Sequence, residues 1–194
     1  MVNCFALKRS AHKSAEVMCD AHCVKMLLES TQLLYAIWDG FEHPAFELQA
    51  YRTTHRNHPI TLWAGSCAAA YNWLLAHGEA LCKEYTERYG KQHKCEQHIK
   101  QLQLAGVPPH VPADDNGEWV ERLKNAVLAT EDTPEGCRRF PLCMGEHVDE
   151  CIVRNKSGNI SGTKSMAKYY KLKAVLFKKP FRYKKGEYSF SLLK

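Results

Sequence analysis

A histidine, a lysine and a carboxylate share one face of a helix near the N-terminus. At about 100° per residue, His22, Lys25, Glu29 and Gln32 fall within about a quarter-turn of each other. A base, a cation and a carboxylate in reach of one bound group can move protons and steady a developing positive charge. The same spacing also builds an ordinary solvated face with a Lys25–Glu29 pair at i,i+4. Opposite it, Val17, Ala21, Val24, Leu28, Thr31 and Tyr35 recur as an apolar stripe and are expected to face the core. Asp20 lies on that apolar side, so it needs either a buried partner or a place at the helix start.

Two further clusters carry charge. Glu84, Arg88 and Lys91 line up at i, i+4 and i+7, with His93 close behind. They form either a clamp for a phosphate or base or a surface ion-pair ladder. The stretch His55-Arg56-Asn57-His58-Pro59 precedes a helix start, which attracts anions. Arg56 and His58 are therefore expected phosphate contacts. Nine cysteines and ten histidines raise the question of metal. Cys19/Cys23 with His22, and His93 and Cys95 with His98, have usable local spacing. There is no pair of CxxC motifs, however, and Cys137, Cys143 and Cys151 are widely spaced, so no metal is expected. Phosphate-binding loop, dinucleotide glycine fingerprint and nucleophile elbow are all missing. That leaves phosphoryl transfer, hydride transfer and serine hydrolysis poorly supported, and no cofactor is expected.

The elements that must position these groups read as helices. Residues 14–38 form the first, stopped by Asp39-Gly40. Residues 40–59 are a loop. A second long helix covers 61–89, with Trp63, Cys67, Tyr71, Leu74, Leu81 and Tyr85 as its stripe and Gly90 as C-cap. Shorter helices are expected over 91–103, 118–129 and 146–153, and a basic one over 165–177. Gly106-Val107-Pro108-Pro109, residues 133–136 and residues 155–162 break the chain between them. Hardly any strand is expected. The fold class is all-α: one compact domain with a helical core over 1–153. Residues 154–194 form a basic, aromatic-rich C-terminal arm of the same domain.

The 194 residues, 45% hydrophobic and 25% charged, suit one globular domain. The longest apolar runs fall far short of the roughly 18 residues of a membrane span. Lys8, Arg9 and Lys13 are followed by no apolar stretch, so no secretory signal is expected. An odd number of cysteines without a dense framework suggests reduced thiols in the cytoplasm, or the host cytoplasm if the protein is viral.

The net charge of +6 hides an asymmetry. Residues 154–194 hold twelve lysines and arginines against Glu187 alone, a net +11, which leaves −5 for residues 1–153. Within 164–185, nine basic residues interleave with Tyr169, Tyr170, Phe177, Phe181 and Tyr183. Such a segment can neutralise phosphates and stack on unpaired bases, and Lys168, Tyr169, Tyr170 and Lys171 are its expected contacts. DNA or a nucleotide is the expected partner, with no membrane and no obligatory protein partner.

Asp20-Ala21-His22, followed seven residues after the histidine by Glu29, resembles the first helix of the endonuclease V-type pyrimidine-dimer DNA glycosylases of phages. His58-Pro59-Ile60-Thr61-Leu62-Trp63 resembles the opening of the second helix in bacterial relatives. Met166-Ala167-Lys168-Tyr169-Tyr170 is similar to the tyrosine-rich basic end of the phage enzymes. Asn57 to Trp63 and Cys82 to His93 look closest to uncharacterised phage and bacterial relatives. The resemblance implies an all-α repair enzyme, hydrolase and lyase, that flips a nucleotide and cuts its glycosidic bond. Its nucleophile would be the α-amine of Val2, exposed by removal of the initiator methionine. Glu29 would stabilise the sugar cation and shuttle protons, His22 would orient substrate, and the basic arm would hold the distorted duplex.

Three departures matter. Leu28 stands where the phage enzymes carry an arginine directly before the glutamate. About six additional residues precede Asp20, which raises Lys25 as a second amine. Glu84, Arg88 and Lys91 have no counterpart there and suggest another substrate, a modified base or a free nucleotide. A base- or nucleotide-modifying enzyme on the same fold, and a non-enzymatic nucleic-acid-binding protein, are the two other readings.

Overall fold

The first expected helix is in fact two. In the computed structural model, which describes residues 3–123, 126–176 and 181–184, α1 spans Ala11–Glu16 and α2 spans Asp20–Trp38. Between them Val17 leaves helical geometry and Cys19 is extended, so the chain restarts with Asp20 as the first residue of α2. Asp39 then closes α2 in the left-handed region at φ 51°, followed by Gly40 at φ 84°.

The second expected helix is also divided, into α3 (Pro59–Ala64) and α4 (Ala68–Tyr89). Pro59 suits the first position of α3, where the missing N–H has no partner to lose, and Gly90 caps α4 at φ 66°. Here α2 packs along α4, with α1 against α4 as well and α3 against α2. α5 (Glu96–Ala105) closes on α4 at Gly78, where a Cβ would come within 2.8 Å of Ile99 Cδ1.

Beyond α5 the expected helix over 118–129 is replaced by a 3₁₀ turn (Glu118–Arg122) and a strand, β1 (Val127–Ala129). β1 pairs antiparallel with β2 (Phe140–Leu142), Val127 opposite Leu142. Leu123 turns extended after the 3₁₀ segment, and β-branched Val127 with apolar Leu128 is better placed on a half-buried ladder. A 3₁₀ turn (Gly145–His147), α6 (Val148–Cys151) and α7 (Gly162–Leu176) complete the order. The fold is thus mostly helical, with one two-stranded ribbon. Among the described residues no helix is long and apolar enough to cross a membrane.

The apolar stripe of α2 needs correction. Val24 and Leu28 are 36% and 38% exposed, and Ala21 is exposed too. The buried face is Cys23, Met26, Leu27, Ser30, Leu33, Leu34 and Ile37, and it extends to His22 and Glu29. The cause is a second layer: residues 3–7 and α7 lie on the side that a lone amphipathic helix would give to water. Residues 181–184 cross the start of α2. The Asp20 N–H donates to the Arg182 carbonyl at 2.8 Å, and the Lys184 N–H donates to Asp20 Oδ1 at 3.1 Å.

Candidate active site

Glu29 is 8% exposed in the middle of α2, and among the described residues its carboxylate has two donors. The backbone N–H of Asn3 donates to Oε2 at 3.1 Å, and Lys25 Nζ lies 3.2 Å from Oε1. Asn3 is itself fixed. Its Nδ2 donates to the Cys143 carbonyl at 2.8 Å, and its Oδ1 accepts the Phe5 N–H at 3.0 Å. That local turn carries buried Phe5 at φ 48°, a left-handed conformation that a bulky residue holds only when its surroundings enforce it. The N-terminal segment is thereby folded back onto Glu29.

His22 sits two turns earlier on the same face of α2. Its Nδ1 is 2.9 Å from the Tyr170 hydroxyl, which also accepts the Cys19 N–H at 2.9 Å. The Tyr170 hydroxyl has one proton to give, and when it donates to Nδ1 the neutral imidazole carries its own proton on Nε2. Phe5 and Phe181 flank the ring, each with centroids 5.0 Å away. Burial, then the charges of Lys173 and Lys25, push the His22 pKa down to about 4, so the ring is neutral near pH 7. Burial pushes the Tyr170 hydroxyl well up, which keeps it a donor.

Lys173 was not singled out by sequence. It reaches the site from α7, with Nζ 5.8 Å from the Phe5 ring centroid and 5.6 Å from that of Tyr169. Burial and Lys25 push its pKa down, while Glu29 acts in the opposite sense. Its signal was present: Lys173 lies three and four residues after Tyr170 and Tyr169, on one helical face. The result is a carboxylate with two ammonium groups in its field, a backbone donor and a neutral imidazole, walled by aromatic rings.

Residues 2–97 match the sequence model of the pyrimidine dimer DNA glycosylase family. This half of the chain belongs to that family. Its description implies a DNA substrate. No curated protein and no solved structure matches the chain. The glycosylase match takes in His22, Lys25 and Glu29 and ends before α7, so Tyr169, Tyr170 and Lys173 join the site from outside it.

The other expected contacts scatter. Val2 lies outside the described residues. Glu84 and Arg88 form no open clamp with Lys91, which is exposed. Instead Arg88, its side chain 1% exposed, donates to Glu84 Oε2 at 2.9 and 2.7 Å. It also reaches Asp20 Oδ1 at 3.3 Å and the carbonyls of Met18 and Glu16 at 2.7 and 3.2 Å. Asp20 thus has both the partner and the helix-start position that its sequence context required. Arg88 is a tie between α4 and the α1–α2 junction, and burial, which opposes its charge, is outweighed by Glu84 together with Cys23 and Asp20.

His58 caps α3, its Nδ1 accepting the Ile60 N–H at 3.2 Å, and Arg56 pairs with Asp39 at 2.7 Å. His93 Nδ1 accepts the Cys95 N–H at 3.1 Å, and the ring meets Tyr85 edge-on. Lys168 is exposed and Lys171 half-buried, whereas Tyr169 and Tyr170 are buried. The two tyrosines therefore act from inside the site and are closed to base stacking at the surface. Among the described residues no group of three or more His, Cys, Asp or Glu side chains is placed to hold a metal ion. Burial pushes the Cys19 and Cys23 thiols up, away from the thiolate a metal requires.

Proposed function

We propose that the chain is a DNA glycosylase with AP-lyase activity on damaged or modified bases, working through an amine Schiff base and Glu29. The observation that carries this is the Asn3 N–H donating to Glu29 at 3.1 Å. Val2 is bonded to Asn3, and one residue spans at most about 3.6 Å. Once the initiator methionine is removed, the α-amine is within one residue of the carboxylate's hydrogen-bonded donor. An α-amine has a pKa of roughly 7.7–8.0, so about a tenth to a sixth of it is free base at pH 7, far more than for an ordinary lysine.

The amine forms a bond to the sugar's anomeric carbon as the glycosidic C–N bond breaks and the base leaves with a proton. Opening of the sugar ring gives the protonated Schiff base. Glu29 stabilises the cationic sugar, then takes the C2′ proton while the C3′–O bond breaks and the 3′ phosphate departs. Neutral His22, aligned by Tyr170, orients the substrate, and the basic lysines of α7 meet backbone phosphates. Lys25 is the second amine of this reading, already 3.2 Å from the carboxylate.

A modified base is favoured by one feature. Leu28 and Val24 form an exposed apolar rim beside Glu29, where the phage enzymes carry an arginine next to the glutamate. The free-nucleotide reading loses its support, since Glu84 and Arg88 are buried in a structural tie.

Borohydride trapping on DNA carrying an abasic site, and on ultraviolet-damaged DNA, tests the chemistry. A covalent adduct mapping to Val2 or Lys25 is expected. Its rate of formation falls about 10²–10⁴-fold in Glu29→Gln, with DNA affinity kept. Blocking the N-terminal amine separates the two nucleophiles. Absence of any adduct while DNA still binds overturns the lyase mechanism and leaves the base-modifying enzyme and the non-enzymatic binding protein.

A further inference from the structure

Lys25, Glu29, Gln32 and Ala36 follow one another along a single face of α2. Seven residues beyond Glu29, about 10 Å along the axis at 1.5 Å per residue, that face opens into a cleft of about 390 Å³ with Ala36 in its lining. Three segments distant in sequence converge there: Arg56 and Asn57 from the loop before α3, His110 from the loop after α5, and Arg122 from the end of the 3₁₀ turn.

Both guanidinium groups are oriented yet open to solvent. Arg56 Nη2 lies 2.7 Å from Asp39 Oδ1 with its side chain 59% exposed, and Arg122 Nη2 donates to Asn57 Oδ1 at 3.3 Å. His110 stacks on exposed Phe41 at the rim, centroids 4.9 Å apart. Two guanidinium groups line the cleft with one carboxylate, Asp39, which pairs with Arg56, and that cationic excess suits a phosphodiester oxygen pair better than a neutral ligand.

We infer that the cleft of Arg56, Arg122 and His110 holds a DNA backbone phosphate about three nucleotides from the sugar at Glu29. The spacing follows from about 3.4 Å per nucleotide along one strand against the 10 Å between Glu29 and Ala36. Arg122 and His110 lie beyond residue 97, so the glycosylase match does not itself supply this half of the footprint. The inference rests on the DNA reading proposed above.

Fluorescence anisotropy with a labelled abasic duplex measures it at several salt concentrations. Wild type against Arg122→Gln should show about a three- to tenfold loss of affinity. The slope of log affinity against log salt should become shallower by about 0.9, the value of one phosphate contact. Arg56→Gln should do the same. A scan with single methylphosphonates then locates the phosphate. Neutralising one position, two to four nucleotides from the lesion, should weaken wild type and leave Arg122→Gln unchanged. An unaltered salt slope in both variants, with wild type binding the duplex, overturns this inference alone. Wild type that binds no duplex overturns the DNA reading beneath it.

Discussion

Two imidazoles are buried in this protein, and they differ in what surrounds them. His22 has a hydroxyl on Nδ1. His77, fully buried in α4 and stacked on Trp73, has no hydrogen-bond partner on either ring nitrogen among the described residues. Burial first, then nearby His12, pushes the His77 pKa down to about 3, and His22 stands at about 4. An ordinary histidine in the unfolded chain titrates near 6.5. Below that pH the unfolded state therefore binds protons that the folded state refuses, and stability falls as pH drops from about 6.5 towards 4. The stabilisation is fully present above 6.5, and its loss by pH 4 is on the order of 3 kcal/mol for each ring. Melting curves between pH 4 and 7.5 should show the decline. His77→Leu, which removes one of the two titrations, should flatten it by about half. A variant that tracks wild type at every pH would mean that His77 is not buried neutral. At this scale the site was half legible: the spacing of Asp20, His22 and Glu29 was visible, but their burial was not. Burial here depends on residues 3–7 and α7, which contribute no periodicity to α2 itself.

Helices as elements were readable because their apolar residues recur, and so were the stops at Asp39-Gly40 and Gly90, but the breaks inside the two long stretches were not. Nothing in residues 17–19 is a glycine or proline, yet the chain leaves helix there. Arg88, some 70 residues further on at the end of α4, takes the Glu16 and Met18 carbonyls that the break frees. A tie of that kind is tertiary and leaves no local trace, which is also why Glu84 and Arg88 could pass for a surface ladder. Removing one partner of a buried pair leaves the other charged and unpaired, at a cost of about 3–5 kcal/mol. Arg88→Ala should lose about that much in urea unfolding, and Arg88→Lys should recover little of it, because an ammonium cannot match the planar fork. Replacing the pair together, as Glu84→Gln with Arg88→Met, should cost less than Arg88→Ala alone. Equal losses would show that the carbonyl contacts of Arg88, and not its charge pairing, hold the junction. The strand β1 was missed for a related reason: three residues are too few to declare a period against a helical neighbour.

For the whole molecule, the charge asymmetry posed a choice between an arm that reaches out and one that packs down. The described part of that arm packs. Phe181 stands against both His22 and Tyr170, at 5.0 and 5.1 Å, and the Asp20 backbone at the head of α2 bonds to Arg182. Residues 177–194 also carry six lysines and arginines against one glutamate, a net +5. One segment is thus asked both to complete the core and to supply charge for a polyanion. Truncation after Leu176 separates the two tasks. Losing the Phe181 packing and the two bonds at Asp20 should cost about 2–3 kcal/mol, a fall of roughly 5–10 °C in Tm for a chain of this size. The His22 ring, no longer covered by Phe181, should titrate upward from about 4 towards 6.5, visible in the pH dependence of its NMR signals. The salt slope of DNA binding should shrink as well, since phosphate neutralisation is lost. If the slope alone changes, while Tm and His22 stay where they are, the arm acts only as a polycation and Phe181 contributes nothing to the site. If all three move together, the strap that seals His22 is the same one that brings charge to the DNA, and stability and binding cannot be tuned apart in this fold.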